Sequence, residues 1–105
     1  MAGQWQCVEL FIPLFKPDKE PVPAAFLRDL EVGLAERFGG VTAFTRSPAR
    51  GRWTNGQQVE TDDVVIYEVM VANLDRRWWA ALRTRLEKQL KQEEILIRAH
   101  AIERL

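Results

Sequence analysis

Two carboxylates set inside apolar runs, Glu9 and Glu68, and a guanidinium and an imidazole two residues apart, Arg98 and His100, are the side chains of this sequence best suited to chemistry. In extended backbone, residues i and i+2 point to the same side, so Arg98 and His100 share a face, as do Glu9 with Trp5, Cys7 and Phe11, and Glu68 with Ile66 and Met70. If the three segments lie side by side in one sheet, two carboxylates, a cation and an imidazole converge on a partly apolar surface. Such a set could bind a polar small molecule, or act as base and anion holder in acid–base catalysis. The same residues admit a structural reading. A charge inside an interface is tolerated when it is paired, so Glu9 with Arg98 could be the satisfied ion pair of an oligomer contact.

Other chemistries find less support. His100 is the only histidine, and a zinc site would need Cys7 and carboxylates in an unusual set, so neither a metal nor a cofactor is expected. Cys7, the single cysteine, excludes an internal disulfide and fits a reducing, cytoplasmic setting; with no histidine motif beside it, it reads as a small buried hydrophobe. Gly39, Gly40, Gly51 and Gly56 do not open a helix after a strand with phosphate-loop spacing, and serve better as caps and turns. Trp53 with Arg46, Arg50 and Arg52 could stack on and pair with nucleic acid, and Arg76, Arg77, Arg83, Arg85, Lys88 and Lys91 make a later helix basic. Against a nucleic-acid partner, 15 Lys and Arg balance 15 Asp and Glu, so the chain generates no net field.

The elements that position these residues follow from periodicity. The run at 62–74, DDVVIYEVMVANL, places Val65, Tyr67, Val69 and Val71 on one apolar face and Glu68 at the centre of the other, which predicts a central strand. Residues 4–15 alternate in the same way and form a first strand, ending near Pro13 because proline cannot donate to a ladder. The segment 16–23, KPDKEPVP, is a rigid solvated connection whose last prolines suit a helix start. Residues 24–38 put Phe26, Leu27, Leu30, Leu34 and Phe38 in one helical arc, and Gly39-Gly40 supplies the stop. A weakly alternating second strand over 41–47 is followed by SPARGRWTNGQQ, whose Asn55-Gly56 marks the tip of a hairpin between strands two and three with Arg52 to Thr54 in its arm. Asp75 caps a second amphipathic helix, RRWWAALRTRLEKQLKQ, with Glu87 spaced to pair Arg83 and Lys91. Residues 95–102 give a fourth strand.

A chain of 105 residues, 47% hydrophobic and 29% charged, is the size of one ordinary domain spanning 1–105. The opening stretch lacks a basic leader, and no run approaches the ~18 apolar residues a membrane helix needs, so no membrane partner is expected. The order β, α, β, β, α, β is the ferredoxin-like split pattern. Right-handed crossovers then give a four-stranded antiparallel α+β sheet of order 4-1-3-2 with both helices on one face. The other face stays uncovered.

The pieces FGGVT at 38–42, GRW at 51–53, Gly56, Glu60 and KQEEILI at 91–97 resemble a group of small bacterial ferredoxin-like domains, over about the C-terminal two thirds of the chain. The resemblance implies the fold and no activity. The wider ferredoxin-like dimeric barrel families are similar in size and order and pair open sheet faces around a pocket. Their haem and metal motifs are absent here.

Three functional expectations follow. The first is a homodimeric small-molecule-binding module whose uncovered faces pair around Trp5, Glu9, Phe11, Glu68, Met70, Arg98 and His100, since an open apolar sheet face is a patch that monomers avoid. The second is a small enzyme using the same cluster, with Glu68 or His100 as base and Arg98 holding an anionic substrate. The third is an interaction module using the basic second helix or the loop at 46–53.

Overall fold

The computed structural model describes the backbone of residues 4–55 and 58–105, and side chains outside 45–62. Its elements run β1 (Trp5–Pro13), α1 (Ala24–Phe38), β2 (Thr42–Asn55), β3 (Gln58–Val71), α2 (Arg76–Gln89) and β4 (Ile97–Ile102). The four strands form one antiparallel sheet of order β2-β3-β1-β4, the expected 4-1-3-2 read from the opposite edge. The ferredoxin-like α+β architecture is therefore the one observed.

One sheet face is sealed. Val8, Leu10, Ile12, Val65, Tyr67, Val69 and Val71 are all at most 4% exposed, and with Leu34 of α1 and Trp79, Leu82 and Leu86 of α2 they make one core. Burying a single such side chain is worth about 1.5–3 kcal/mol, which explains why these buried positions carry no charge. Tyr67 brings a hydroxyl into the core, which donates to the Leu27 carbonyl at 3.4 Å. Burial, with Glu31 as a second cause, pushes the Tyr67 phenol up to about 12.

Both helix starts and the first helix stop follow local chemistry. Pro23 precedes α1, while Gly39 ends it at φ 81, a left-handed conformation glycine adopts without the usual steric penalty. Asp75 caps α2, its Oδ1 accepting from the Trp78 amide at 3.1 Å. An aromatic stack of Phe38 on Trp79, edge-on to Trp78, ties the end of α1 to the start of α2, with the Arg37 guanidinium 4.2 Å from the Trp78 ring.

The structure departs from the sequence reading at four places. The hairpin arm expected at Arg52 to Thr54 is present and begins earlier than expected: Ala49 to Asn55 pair with Val64 to Gln58, and the register shifts between Phe44 and Ala49. Proline and glycine punctuate this stretch, but paired backbone overrides their local preference, and the hairpin strands reach 14 residues each. Strand four begins at Ile97 rather than 95, because the Ile95 amide donates instead to Glu87 Oε2 at 2.9 Å. That bond also withdraws Glu87 from the helix-surface pairs expected with Arg83 and Lys91. Lys91 sits at φ 56, so α2 ends at Gln89 rather than continuing to 92. The 16–23 connection folds back on itself, with Phe15 bridged to Pro21 and Val22 buried.

Candidate functional site

The uncovered face gathers the chemistry-bearing residues, as strand register dictates. Across β1 and β3, Glu9 lies opposite Glu68, Cys7 opposite Met70 and Phe11 opposite Ile66. Across β1 and β4, Glu9 lies opposite Arg98 and Cys7 opposite His100, with Trp5 opposite Ile102. On the outer side of β3, Thr42 faces Glu68 and Phe44 faces Ile66. All seven expected site residues thus share one surface, spread over the two central strands and one edge.

Glu9 is held. Its Oε1 accepts from Arg98 Nε at 3.0 Å and lies 3.7 Å from His100 Nδ1, and its side chain is 16% exposed against 59% for Arg98 and 57% for His100. The Arg98 guanidinium also lies 4.9 Å from the Phe11 ring, so one cation bridges a carboxylate and an aromatic face. Trp5 at the end of β1 is covered by the Arg104 guanidinium at 4.3 Å.

Glu68 is not held in this way. It is half-buried in the middle of the face, and among the described residues no Lys, Arg or His forms an ion pair with it. Its diagonal neighbour across the β1–β3 rungs is Cys7. Burial first, then the Glu68 charge, with Glu9 last, push the Cys7 thiol up to about 11. Cys7 is therefore protonated at neutral pH and not a nucleophile, in keeping with the buried small side chain expected. Two carboxylates directly opposite one another on neighbouring strands repel, and among the described residues only Glu9 has a cation beside it.

Apolar surface surrounds this carboxylate. Met70 and Phe44 are each 48% exposed, and Phe11 and Ile66 are half-buried. Among the described residues, no group of three or more His, Cys, Asp and Glu is placed to hold a metal. The second reading of the sequence, with Arg98 holding an anionic substrate, meets an obstacle in the structure: Arg98 Nε already donates to Glu9. The third reading rests partly on side chains of 46–53, which lie outside the described residues, as does the surrounding of Trp53. The basic residues of α2, Arg76, Arg77, Arg83, Arg85 and Lys88, are exposed. No helix among the described residues is long and apolar enough to cross a membrane.

Two features of the site escaped the sequence reading. The placement of Cys7 diagonal to Glu68, one pair removed from the Glu9–Glu68 rung, becomes visible only once the register is known. Arg104 lies beyond the last strand, where no periodicity predicts its position over Trp5.

No family model matches the chain, and no curated protein matches it. Among solved structures, a phage SAM lyase in complex with S-methyl-5'-thioadenosine is similar over 96% of this chain and 83% of its own, at 18% identity and a TM-score of 0.61. A phage SAM lyase in its apo state is similar over 96% and 82%, at 17% identity and the same TM-score. At these identities the likeness is one of fold.

Proposed function

We propose that the uncovered sheet face binds a small molecule and that Glu68 is the carboxylate that meets the ligand's positive or hydrogen-bond-donating group. The observation that carries this reading is the asymmetry between two facing carboxylates: among the described residues, Glu9 has a guanidinium and an imidazole, and Glu68 has no cation. A half-buried carboxylate without a cation is expensive for a fold to keep, so its cost is best understood as offset by a ligand. The aromatic and thioether groups around it, Phe11, Phe44 and Met70, suit a ligand with an apolar or planar body. In this reading the ligand does not need Arg98, which serves Glu9.

The similar solved fold suggests the first probes. S-methyl-5'-thioadenosine and SAM both carry a planar base, and SAM adds a sulfonium cation that a free carboxylate and aromatic rings would attract. The module is further proposed to be a cytoplasmic homodimer whose open faces pair and enclose the site, since Phe44 and Met70 would otherwise remain in water. Light scattering at micromolar concentration should then return about twice the 12.2 kDa chain mass, and a monomer throughout a dilution series would remove the dimer from the proposal.

The binding test is a thermal-shift titration with both probes. A ligand at about 100 times its Kd stabilises the native state by about 2.7 kcal/mol, a readily measured shift. Stabilisation that saturates in the wild type and disappears in Glu68→Gln supports the site. Stabilisation that is equal in both would place the ligand elsewhere.

A further inference from the structure

On the helix side of the sheet, between α2 and β4, lies an open cleft of about 230 Å³ that is separate from the Glu68 face. Its walls are apolar: Ile97 and Ala99 of β4, and Trp79 and Ala80 of α2. The charged side chains on its α2 wall are Arg76 and Arg83, and no carboxylate lines it; Arg98 of β4 also borders it, with its guanidinium on the opposite sheet face. Arg98 is engaged by Glu9. Arg76 and Arg83 are exposed and form no ion pair among the described residues, and their seven-residue spacing places both on one side of α2.

The nearest acids in the sequence are both committed to main-chain amides. Asp75, beside Arg76, caps the helix through the Trp78 amide at 3.1 Å. Glu87, one turn beyond Arg83, is turned to the Ile95 amide at 2.9 Å. Two cations are thus left beside an apolar slot without a counter-charge from their own helix, Arg83 although Glu87 stands at the pairing spacing. Edge position explains why the slot exists: β4 is the outermost strand on this side, and its Ala99 is exposed on the face that the helices cover elsewhere.

We propose that this cleft is a second binding site, for a small organic anion with a flat apolar body of one or two rings and one carboxylate or phosphate. The ring would lie on Ala99 and Ala80 against the Trp79 indole, and the anionic group would reach Arg76 and Arg83. The volume is below the range of drug-sized pockets, which limits the body to that size. A guanidinium pair favours an oxyanion over a neutral group of the same shape, because planar N–H donors match its lone pairs.

The test is a titration of the isotopically labelled full chain with 2-naphthoate and phenyl phosphate, followed by NMR, with 2-naphthamide as the neutral control. Saturable shifts at the Trp79 indole and the Ala99 amide are expected, with a Kd below about 1 mM. The amide should bind about tenfold more weakly, and Arg76→Gln with Arg83→Gln should weaken the naphthoate by about tenfold. Ala99→Leu should block binding by filling the slot, and Glu68→Gln should leave it unchanged. The arginine variants are at exposed positions, so they keep the test decisive if the filled variant does not fold. Shifts confined to the Glu68 face, equal binding of acid and amide, indifference to the arginine substitutions, or no saturation below about 1 mM would each overturn the proposal.

Discussion

The two faces of the sheet are made from the same four strands and differ by one residue of parity. At the centre of the helix-covered face, Val8, Leu10 and Ile12 of β1 and Val65, Tyr67, Val69 and Val71 of β3 carry no charge and are at most 4% exposed. The uncovered face alternates aromatic, thioether, thiol and carboxylate groups, and it places Glu9 against Glu68. Hydrophobic burial accounts fully for the first surface. The second is not what stability alone would select, since it combines exposed apolar atoms with facing like charges. The difference separates what holds the fold from what the fold presents.

Substitution should expose that difference at its largest. Leu10→Ala, at a position with 0% exposure, should destabilise by about 2–5 kcal/mol in denaturant unfolding, by lost transfer energy and the cavity left behind. Met70→Ala, one strand away on the open face at 48% exposure, should change the stability of the monomer, measured at concentrations below dimerisation, by no more than about 0.5 kcal/mol. Comparable losses would mean that the open face is as closely packed as the core, as in a tight dimer contact.

The two carboxylates provide the next contrast. Arg98→Ala removes the cation from a Glu9 side chain that is only 16% exposed, and should cost about 1 kcal/mol, a value kept small because Arg98 itself is largely in water. Glu68→Ala should be neutral or slightly stabilising, since it relieves repulsion across the rung. A double-mutant cycle should find little coupling between Arg98 and Glu68. Strong coupling would return both residues to the interface reading.

A pH series probes both faces at once. Cys7 is raised from the usual 9.0 to about 11 on the open face, and Tyr67 from 10.0 to about 12 on the covered one. Each group is an acid that the folded state keeps protonated, so the unfolded chain loses its proton first. Their stabilisation is complete below pH 9.0 for Cys7 and below 10.0 for Tyr67, and is lost as pH rises through about 11 and about 12. Unfolding free energy should therefore decline from about pH 9 upward, with the onset moved to higher pH in Cys7→Ala and the later part of the fall reduced in Tyr67→Phe. Alkylation of native Cys7 by iodoacetamide should stay slow at neutral pH; rapid alkylation there would contradict the protonated thiol beside Glu68.

The smallest effect concerns the link between α2 and β4. Glu87→Gln retains an acceptor for the Ile95 amide but removes the charge, and should cost a few tenths of a kcal/mol. Glu87→Ala leaves that amide without this partner and should cost about 1 kcal/mol or more. Equal costs would show that the bond to Ile95 contributes little.

How much of this was legible in the sequence depends on the range of the forces involved. Strict alternation in VVIYEVMV identified both the central strand and its buried parity, because a one-residue slip would have placed Glu68 in the core. Pro23, Gly39 and Asp75 marked helix boundaries through backbone geometry that each residue carries locally. The hairpin at 42–71 was misjudged where Pro48 and Gly51 suggested loop, since pairing with β3 is a non-local term that no local preference contains. Ile95 was read as strand because its apolar neighbours alternate, whereas its amide is claimed by Glu87 from a helix eight residues earlier. In the site, face membership followed from parity, so the seven residues could be grouped in advance. The inequality between Glu9 and Glu68 could not, because it depends on which side of β1 carries the cation.

That inequality is the central claim, and a single paired measurement tests it most directly. Wild type, Glu68→Gln and Arg98→Ala are unfolded in denaturant and, on the same preparations, titrated by calorimetry with the two nucleoside probes. The account predicts that Glu68→Gln retains wild-type stability within about 0.5 kcal/mol and loses binding, whereas Arg98→Ala loses stability and retains binding at wild-type protein folded under the assay conditions. The reverse pattern, with Glu68→Gln destabilised by several kcal/mol and the probes bound equally by all three proteins, would contradict it and make Glu68 a structural group.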